Sequence, residues 1–407
     1  MSIIAVLGTL DTKAEELGQV AQEIRRLGHQ PLLVDVGTGG PPGIAADISR
    51  QVVALAAGID LAALVARRDR GECVAAMAAA AAVLVPRLAR EGRIDGILAL
   101  GGGGGTAIAT AAMRALPIGF PKLMVSTLAS GNTAPYVGGR DIVMFPSIVD
   151  LSGLNRISRL LLSRAAGAIC GMVAQRPAIE SQDRPVIVAS MFGNTTDCVT
   201  AARAILEAAG YEVLVFHATG AGGRTMEGLI ESGMACGVLD VTTTEWADEL
   251  VGGILSAGST RLDAAKEAGV PAVVAPGCLD MVNFGEPGSV PSRFAGRRFY
   301  QHNPQVTLMR TTSAECAELG RILAEKINAY RAATTVLFPT KGLSVIGEPG
   351  QPFWDPEADA ALLAALRRDL RPDVPLVVLD VSINDPIFAR ACAEALLGNM
   401  RAGREMP

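Results

Sequence analysis

Residues 2–40 read SIIAVLGTLDTKAEELGQVAQEIRRLGHQPLLVDVGTGG, and this stretch decides the fold. The β-branched run up to Gly8 predicts a buried strand. Leu17, Val20, Ala21, Ile24 and Leu27 then recur at the spacing of one helical face, which predicts an amphipathic helix. Thr12 and Glu15 have the T-x-x-E spacing of a capping box, which starts that helix just after Asp11. HQPLLVDV predicts a second strand with a glycine-rich exit. Strand, helix and strand in this order call for a parallel pair with a right-handed crossover.

The same plan recurs. RPVIVASMFGNTTDCVTAARAILEAAGYEVLVFHATGAGG repeats strand, loop, helix, strand and glycine exit. Gly28 pairs with Gly210, Gly96 with Gly237 and Pro121 with Pro271. The separation shrinks after the first pair, which places an insertion within residues 41–93 of the first half. The expected fold is α/β: two Rossmann-like lobes with parallel sheets facing a cleft, related by internal duplication. The polar, proline-containing AQRPAIESQDRP, residues 174–185, is the expected linker. It divides the chain into a nucleotide-binding domain, 1–180, and a second domain, 181–407. The terminal PLVVLDVSINDPIFARACAEALLG adds a strand and a helix that pack on either lobe.

The chain has 407 residues, half of them hydrophobic and 19% charged, as expected of a well-buried globular enzyme. A net charge of −5 disfavours nucleic acid and membrane surfaces as partners. Seven scattered cysteines without a CxxC pair indicate neither a disulfide framework nor a zinc site. CVAAMAAAAAVLVP ends in proline and is too short to span a bilayer, and no secretory signal opens the chain. A cytoplasmic location is expected.

Three loops of the first half fall at predicted strand ends, where α/β sheets bind ligands. The run Gly101, Gly102, Gly103, Gly104, Gly105 and Thr106 follows the strand DGILAL and opens a helix. Backbone amides stripped of Cβ atoms and placed at a helix start suit a phosphate. Neither a Walker A Lys-Ser/Thr pair nor a GxGxxG fingerprint accompanies them. The alternative is a close strand–helix turn. In GTLDTK, Thr9, Asp11, Thr12 and Lys13 leave the first strand. Lys13 suits a phosphate and Asp11 a ribose hydroxyl or a metal; otherwise Thr12 is a cap and Lys13 is solvated. In STLASGN, Ser130, Gly131 and Asn132 either bind phosphate or sugar or form a turn.

Together GTLDTK, GGGGGT and STLASG resemble the ATP-binding family formed by the N-terminal region of the tomato mosaic virus resistance protein and its bacterial relatives. FHATGAGGRTMEGLI, DVTTTEWADEL, PGCLDMVNFG, HNPQVTLMRTT and PFWDPEADAAL extend the resemblance over essentially the whole chain. It implies ATP, a two-lobed α/β fold and a homodimer, with Mg²⁺ accompanying a bound triphosphate. The plant protein carries a further barrel-like domain, so a separately encoded barrel protein is a possible partner.

In the second half, Glu245 opens a helix, where it either serves the dipole or takes a metal or proton. Asp280 and His302 are candidates for proton transfer and Arg310 for holding acceptor charge. Asn283 is expected just beyond a strand. The turn ATGAGG with Arg224, and SAGSTRL with Arg261, are weaker anion sites. Three functions fit: an ATP-dependent enzyme acting on a small anionic metabolite, a nucleotide-binding regulatory module with little turnover, or a sugar-nucleotide enzyme.

Overall fold

The computed structural model describes residues 1–175 and 183–405, so most of the expected linker lies outside the described residues. The chain separates into two compact units, Met1–Ile179 and Glu180–Pro407.

The first unit runs β1 (Ile3–Gly8), α1 (Ala14–Arg26), β2 (Gln30–Asp35), α2 (Arg50–Leu55), α3 (Leu61–Ala66) and α4 (Arg70–Arg90). It continues with β3 (Gly96–Gly101), α5 (Gly103–Arg114), β4 (Lys122–Ser126), α6 (Ala134–Val137), β5 (Val143–Pro146) and α7 (Arg156–Ala174). The strands form one parallel sheet in the order β2-β1-β3-β4-β5. Both faces are covered, so alternate strand residues serve different cores. Ala5, Leu7, Ile97 and Ala99 pack under α2, α4 and α5. Ile4, Val6, Leu98 and Leu100 pack under α1 and α7. In this order the chain reverses direction between β1 and β3, and the loops leaving those two strands flank the crevice where ligands of doubly wound sheets bind.

Two local expectations fail. Helix α1 starts at Ala14 with Lys13 as N-cap and no side-chain cap. The Thr12 hydroxyl pairs with Thr9 Oγ1 at 2.7 Å instead, so Thr12 and Glu15 form no capping box. Helix α4 passes through Pro86 to Arg90 and is 21 residues long. It and α7 are long and apolar enough to cross a membrane, but each lays a face on a core of the first unit. For α4 that face is Met77, Ala80, Ala81, Leu84, Val85 and Leu88.

The second unit repeats the plan: β6 (Val186–Met191), α8 (Thr196–Ala208), β7 (Glu212–His217), α9 (Ala221–Glu231), β8 (Gly237–Thr242), α10 (Glu245–Val251), α11 (Ala264–Ala268) and β9 (Ala272–Gly277). After these come β10 (Met281–Phe284), β11 (Phe299–Asn303), β12 (Val306–Arg310), α12 (Ser313–Asn328), β13 (Thr334–Pro339), α13 (Pro356–Asp369), β14 (Leu376–Leu379) and α14 (Pro386–Glu405). The parallel sheet has the order β14-β13-β9-β8-β6-β7, so β7, β6, β8, β9 and β13 match β2, β1, β3, β4 and β5 in sequence and position. Between β7 and β8 there is one helix, where the first unit has three between β2 and β3. The inserted length therefore sits in that crossover, as the spacing predicts.

The terminal strand and helix belong to the second unit. Strand β14 pairs with β13, and Phe388, Ala389, Cys392, Ala393 and Leu396 of α14 join the core beneath β6, β8 and β9. The sequence pattern did not announce the antiparallel sheet β10-β12-β11. Its strands are four or five residues long, and FYQHN has no apolar alternation. Asn283, expected beyond a strand, lies within β10. Six of the seven cysteines are buried and all are free thiols.

Candidate functional site

The loops leaving β1 and β3 meet at a cavity of about 700 Å³ in the first unit. Thr9, Asp11, Thr12, Lys13 and Gly101 to Gly105 all line it. Thus two of the three glycine or polar loops converge, as their positions at strand ends predict. The third is adjacent: Ser130 borders a neighbouring cavity of about 300 Å³, while Gly131 and Asn132 line neither. Thr106 does not face the cavity. It is fully buried, and its hydroxyl lies 2.7 Å from Ser126 Oγ and donates to the Gly101 carbonyl at 3.3 Å, tying α5 to β3 and β4.

The five glycines are not equivalent. A Cβ on Gly101 would stand 2.7 Å from the Gly105 backbone, so close packing of strand end on helix start demands glycine there. A Cβ on Gly102 would meet nothing nearer than Thr127 Oγ1 at 3.6 Å, and on Gly103 nothing nearer than 4.0 Å. Gly102 has φ −80° and no φ in the run is positive. Neither the protein's packing nor its backbone geometry requires glycine at 102 and 103. The run also opens α5 with Gly102 as N-cap and no side-chain cap, leaving the first-turn amides of a 12-residue helix without a side-chain acceptor.

Charge surrounds these amides. Lys13 lines the cavity with its Nζ donating to the Leu151 carbonyl. Arg68 and Arg70, which the motif reading missed, also line it and enter no ion pair among the described residues. Arg68 has φ 55°, an unusual conformation for a residue other than glycine. The clue in the sequence is ARRDRGE, a cluster of basic residues just before the apolar helix. Asp11 is held by the Gly39 N–H at 2.7 Å and stands 3.7 Å from Arg50; its Oδ1 is buried without a partner. Val36, Val65, Val74 and Ile108 supply an apolar wall. Asp69 and Asp150 complete the acidic side, yet no three His, Cys, Asp or Glu residues group closely enough to hold a metal among the described residues.

The second unit fills the equivalent places with its own side chains. Where the first unit has the glycine run, Thr242 to Thr244 are fully buried. Thr242 Oγ1 lies 2.7 Å from Thr195 Oγ1, and Thr243 donates to the Ala275 carbonyl at 3.0 Å. The turn ATGAGG is an anion cradle already occupied. Gly220 and Gly223 N–H groups donate to Glu245 Oε1 at 2.6 and 3.1 Å. Arg261 Nε donates to Glu245 Oε2 at 2.7 Å, and the same guanidinium forks onto Asp240 at 2.6 and 2.7 Å and reaches Glu227 at 3.0 Å. One buried cation holds three carboxylates, and burial pushes the Glu227 carboxyl upward despite Arg261. Glu245 and Arg261 are therefore structural, and Arg224 donates to the Ser256 carbonyl.

Asp280 and Arg310 are also buried, at 0% and 3% exposure. Asp280 Oδ2 accepts from Ser344 Oγ at 2.6 Å. Burial raises the Asp280 carboxyl, while the charge of Arg310 acts the other way. Arg310 donates to Asp359 at 2.5 Å, to the Phe353 carbonyl at 2.9 Å and to Thr311 Oγ1 at 2.8 Å. With its donors so engaged it is not a clamp for a soluble anion. His302 is exposed on the edge strand β11, at the opposite end of the hairpin from Arg310. The structure thus separates Glu245 and His302 from the Asp280–Arg310 pair, and the four do not form one site.

Asp248 carries a testable consequence. Burial pushes its carboxyl up to about 7, against hydrogen bonds from the Asn283 side chain at 2.7 Å and backbone at 3.0 Å. Asp359 is raised to about 7 by the same cause. The folded chain keeps protons there that the unfolded chain releases near pH 4, so this stabilisation is complete below that pH and is lost as pH rises through 7. Both tryptophans, Trp246 and Trp354, lie in the second unit, so their fluorescence follows its unfolding. The urea midpoint should fall between pH 4 and 7.5, and Asp248→Asn should flatten that slope. Asn283 Oδ1 has no partner and would accept from the new amide after a flip. An unchanged slope would show that Asp248 is ionised throughout.

Residues 2–178 match the N-terminal domain, and residues 184–400 the C-terminal domain, of the family described as "Uncharacterised protein family (UPF0261)". A UPF0261 protein of Clostridium tetani is 48% identical over 398 residues, 98% of each chain. The ToMV resistance protein Tm-1(GCR237) of Solanum lycopersicum is 43% identical over 337 residues, 81% of this chain and 44% of that protein. Among solved structures, the Streptomyces glycosyltransferase SsfS6 aligns with 99% of this chain and 96% of its own at 15% identity. Its TM-score of 0.18 carries no functional argument. The relatives bear out the resemblance seen in the sequence motifs, and over both of its domains this chain belongs to the UPF0261 family.

Proposed function

We propose that the first unit binds ATP, with the amides of Gly102 to Gly105 on its phosphates, and that the bound nucleotide serves phosphoryl transfer. One observation carries this reading: glycines stand at 102 and 103 where a Cβ would fit, at the uncapped start of α5. A helix start with bare amides favours an anion, and Arg68, Arg70 and Lys13 supply matching charge. The apolar wall of Val36, Val65, Val74 and Ile108 suits a base, and a cavity of about 700 Å³ is of ligand size. Asp11, which lines the cavity, is the carboxylate placed to meet a ribose hydroxyl. Mg²⁺ fits as an ion carried by the phosphates with one or two carboxylates, since no closed protein cage exists among the described residues. Phosphoryl transfer depends mainly on positioning and charge stabilisation, which these groups provide.

The regulatory reading stands second. It is favoured by the burial of Asp280, Arg310 and Glu245, which removes the proposed catalytic groups of the second unit from any soluble substrate.

Paired glycine variants test the first reading. Gly101→Ala should destabilise the free protein by about 1–3 kcal/mol, because its Cβ meets backbone. Gly103→Ala should leave stability unchanged or improve it by about 0.5–1 kcal/mol. ATP with Mg²⁺ at roughly a hundred times its dissociation constant should raise the melting temperature of the wild type by about 5 °C or more. The bulkier Gly103→Val should abolish that shift. An ATP shift retained in Gly103→Val would remove the cradle from the site. ADP release above the rate in buffer separates an enzyme from a regulator.

A further inference from the structure

Beside the glycine cradle lies the second cavity, of about 300 Å³, between the loops that leave β4 and β5. Ser126, Thr127 and Ser130 border it from one loop, and Ser147, Ile148 and Asp150 from the other. Asp150 lines the larger cavity as well, so the two meet at that residue. The lining is hydroxyl-rich and includes no cation.

The loop after β5 is held in an unusual path. The Val149 N–H donates to the Ser147 carbonyl at 2.7 Å, closing a three-residue turn about Ile148, whose φ is 63°. A γ-turn of this hand is rare and strained, and a β-branched residue is poorly suited to positive φ. Ile148 is 71% exposed, so burial of its side chain does not offset the strain. The turn is instead fixed by Ser147, whose Oγ donates to the Val149 carbonyl at 2.7 Å and whose N–H donates to the Ser126 carbonyl at 3.2 Å. Strain of this kind persists where the surroundings impose it and clusters at ligand sites. Its product is the placement of Asp150. Oδ1 accepts from the Leu151 N–H at 2.8 Å, which orients the carboxylate, and Oδ2 is free of protein partners among the described residues.

We infer that this cavity takes the phosphoryl acceptor, and that the acceptor is a small uncharged polyol or sugar presenting one hydroxyl to Asp150. The inference rests on the nucleotide reading above and corrects its acceptor. Arg310 and the ATGAGG turn, on which an anionic metabolite depended, are committed to internal partners. The Asp150 carboxylate, with no cation in the lining, repels an anion and accepts from a hydroxyl donor, while the Thr127 and Ser130 hydroxyls can donate to or accept from the other hydroxyls of the acceptor. In the step, the acceptor oxygen attacks the γ-phosphorus of ATP and a new O–P bond forms. The bond from that phosphorus to the β,γ-bridging oxygen breaks, and its electron pair leaves with ADP. The acceptor proton passes to Asp150 Oδ2 and then to water. A phosphate ester, ADP and one proton result.

The test uses the full chain with ATP and Mg²⁺, following ADP release and ester formation by phosphorus NMR. Glycerol, D-ribose and myo-inositol are the neutral probes, with D-glycerate and L-malate as charged counterparts. At least one neutral probe should yield an ester and raise ADP release about tenfold. Asp150→Asn should lower the stimulated rate by about 10²–10⁴-fold while keeping the thermal shift with ATP. Ser130→Leu, at an exposed position, should remove the stimulation and also keep that shift. With the ATP shift intact, any of three results overturns the inference: an ester only from a charged probe, no ester from any neutral probe, or wild-type turnover in Asp150→Asn. Loss of the ATP shift in the wild type would instead sink the nucleotide reading, and this inference with it.

Discussion

The first turn of α5 begins where β3 ends, and no side chain accepts its amides. Peptide N–H groups at a helix start carry partial positive charge and need an acceptor, from protein, water or ligand. Everything distinctive in the first unit is arranged around that need. The reversal of chain direction between β1 and β3 places the Thr9–Lys13 loop beside the glycines. The β2–β3 crossover adds Arg68 and Arg70 on the other side. Thr106 anchors the run from below by bonding Ser126 Oγ and the Gly101 carbonyl, so the cradle rests on the two parallel strands β3 and β4.

The second unit shows what the same topology becomes when the need is met internally. Its glycine turn at 220–223 follows β7, the counterpart of β2 rather than of β3, and a Cβ on Gly222 would stand only 1.8 Å from the His217 carbonyl oxygen. Here the amides hold Glu245, and Glu245 is held in turn by Arg261. An anion cradle that folds around a carboxylate of its own chain is a packing device. Glycine content alone does not distinguish the two cases. What distinguishes them is whether the protein itself occupies the space a Cβ would take: at Gly223 that space is 2.1 Å from Glu245 Oε2, whereas at Gly103 it is clear.

This difference marks how far the sequence could be read. Continuous apolar runs and period-3.6 patterns showed the parallel sheets and the repeated plan, because strands buried on both faces and helices buried on one leave strong signals. The convergence of GTLDTK with the glycine run followed from their places at adjacent strand ends. Arg68 and Arg70 were hidden because they lie in an insertion with no counterpart in the second half. The misplacement of Arg310 and Glu245 has another cause. A charged residue near a strand end looks the same in sequence whether it faces a ligand or a buried partner, and the partners Asp359 and Arg261 lie far along the chain. The capping box failed because Thr12 found a nearer hydroxyl, that of Thr9, one turn before the helix.

The inserted crossover gives the first unit a wall beside its glycine run that the second unit lacks. Between β2 and β3 the chain spends residues 36–95 on three helices, and this detour passes the end of the sheet twice. On its first pass Gly37 and Gly39 close against Asp11, leaving no room for a Cβ at either position. On its second pass Arg68, in a conformation that non-glycine residues rarely adopt, turns the chain into α4 beside the glycine run. The wall so formed belongs to the protein, but the positive charge and the bare amides behind it are left without an acceptor. In the second unit α9 follows β7 after a short turn and brings no such wall, so Glu245 reaches the amides directly. A duplicated sheet thus diverges in one connection. The longer connection leaves the first-turn amides of α5 without a side-chain partner, and with the shorter one Glu245, at the start of α10, meets the amides of the turn into α9.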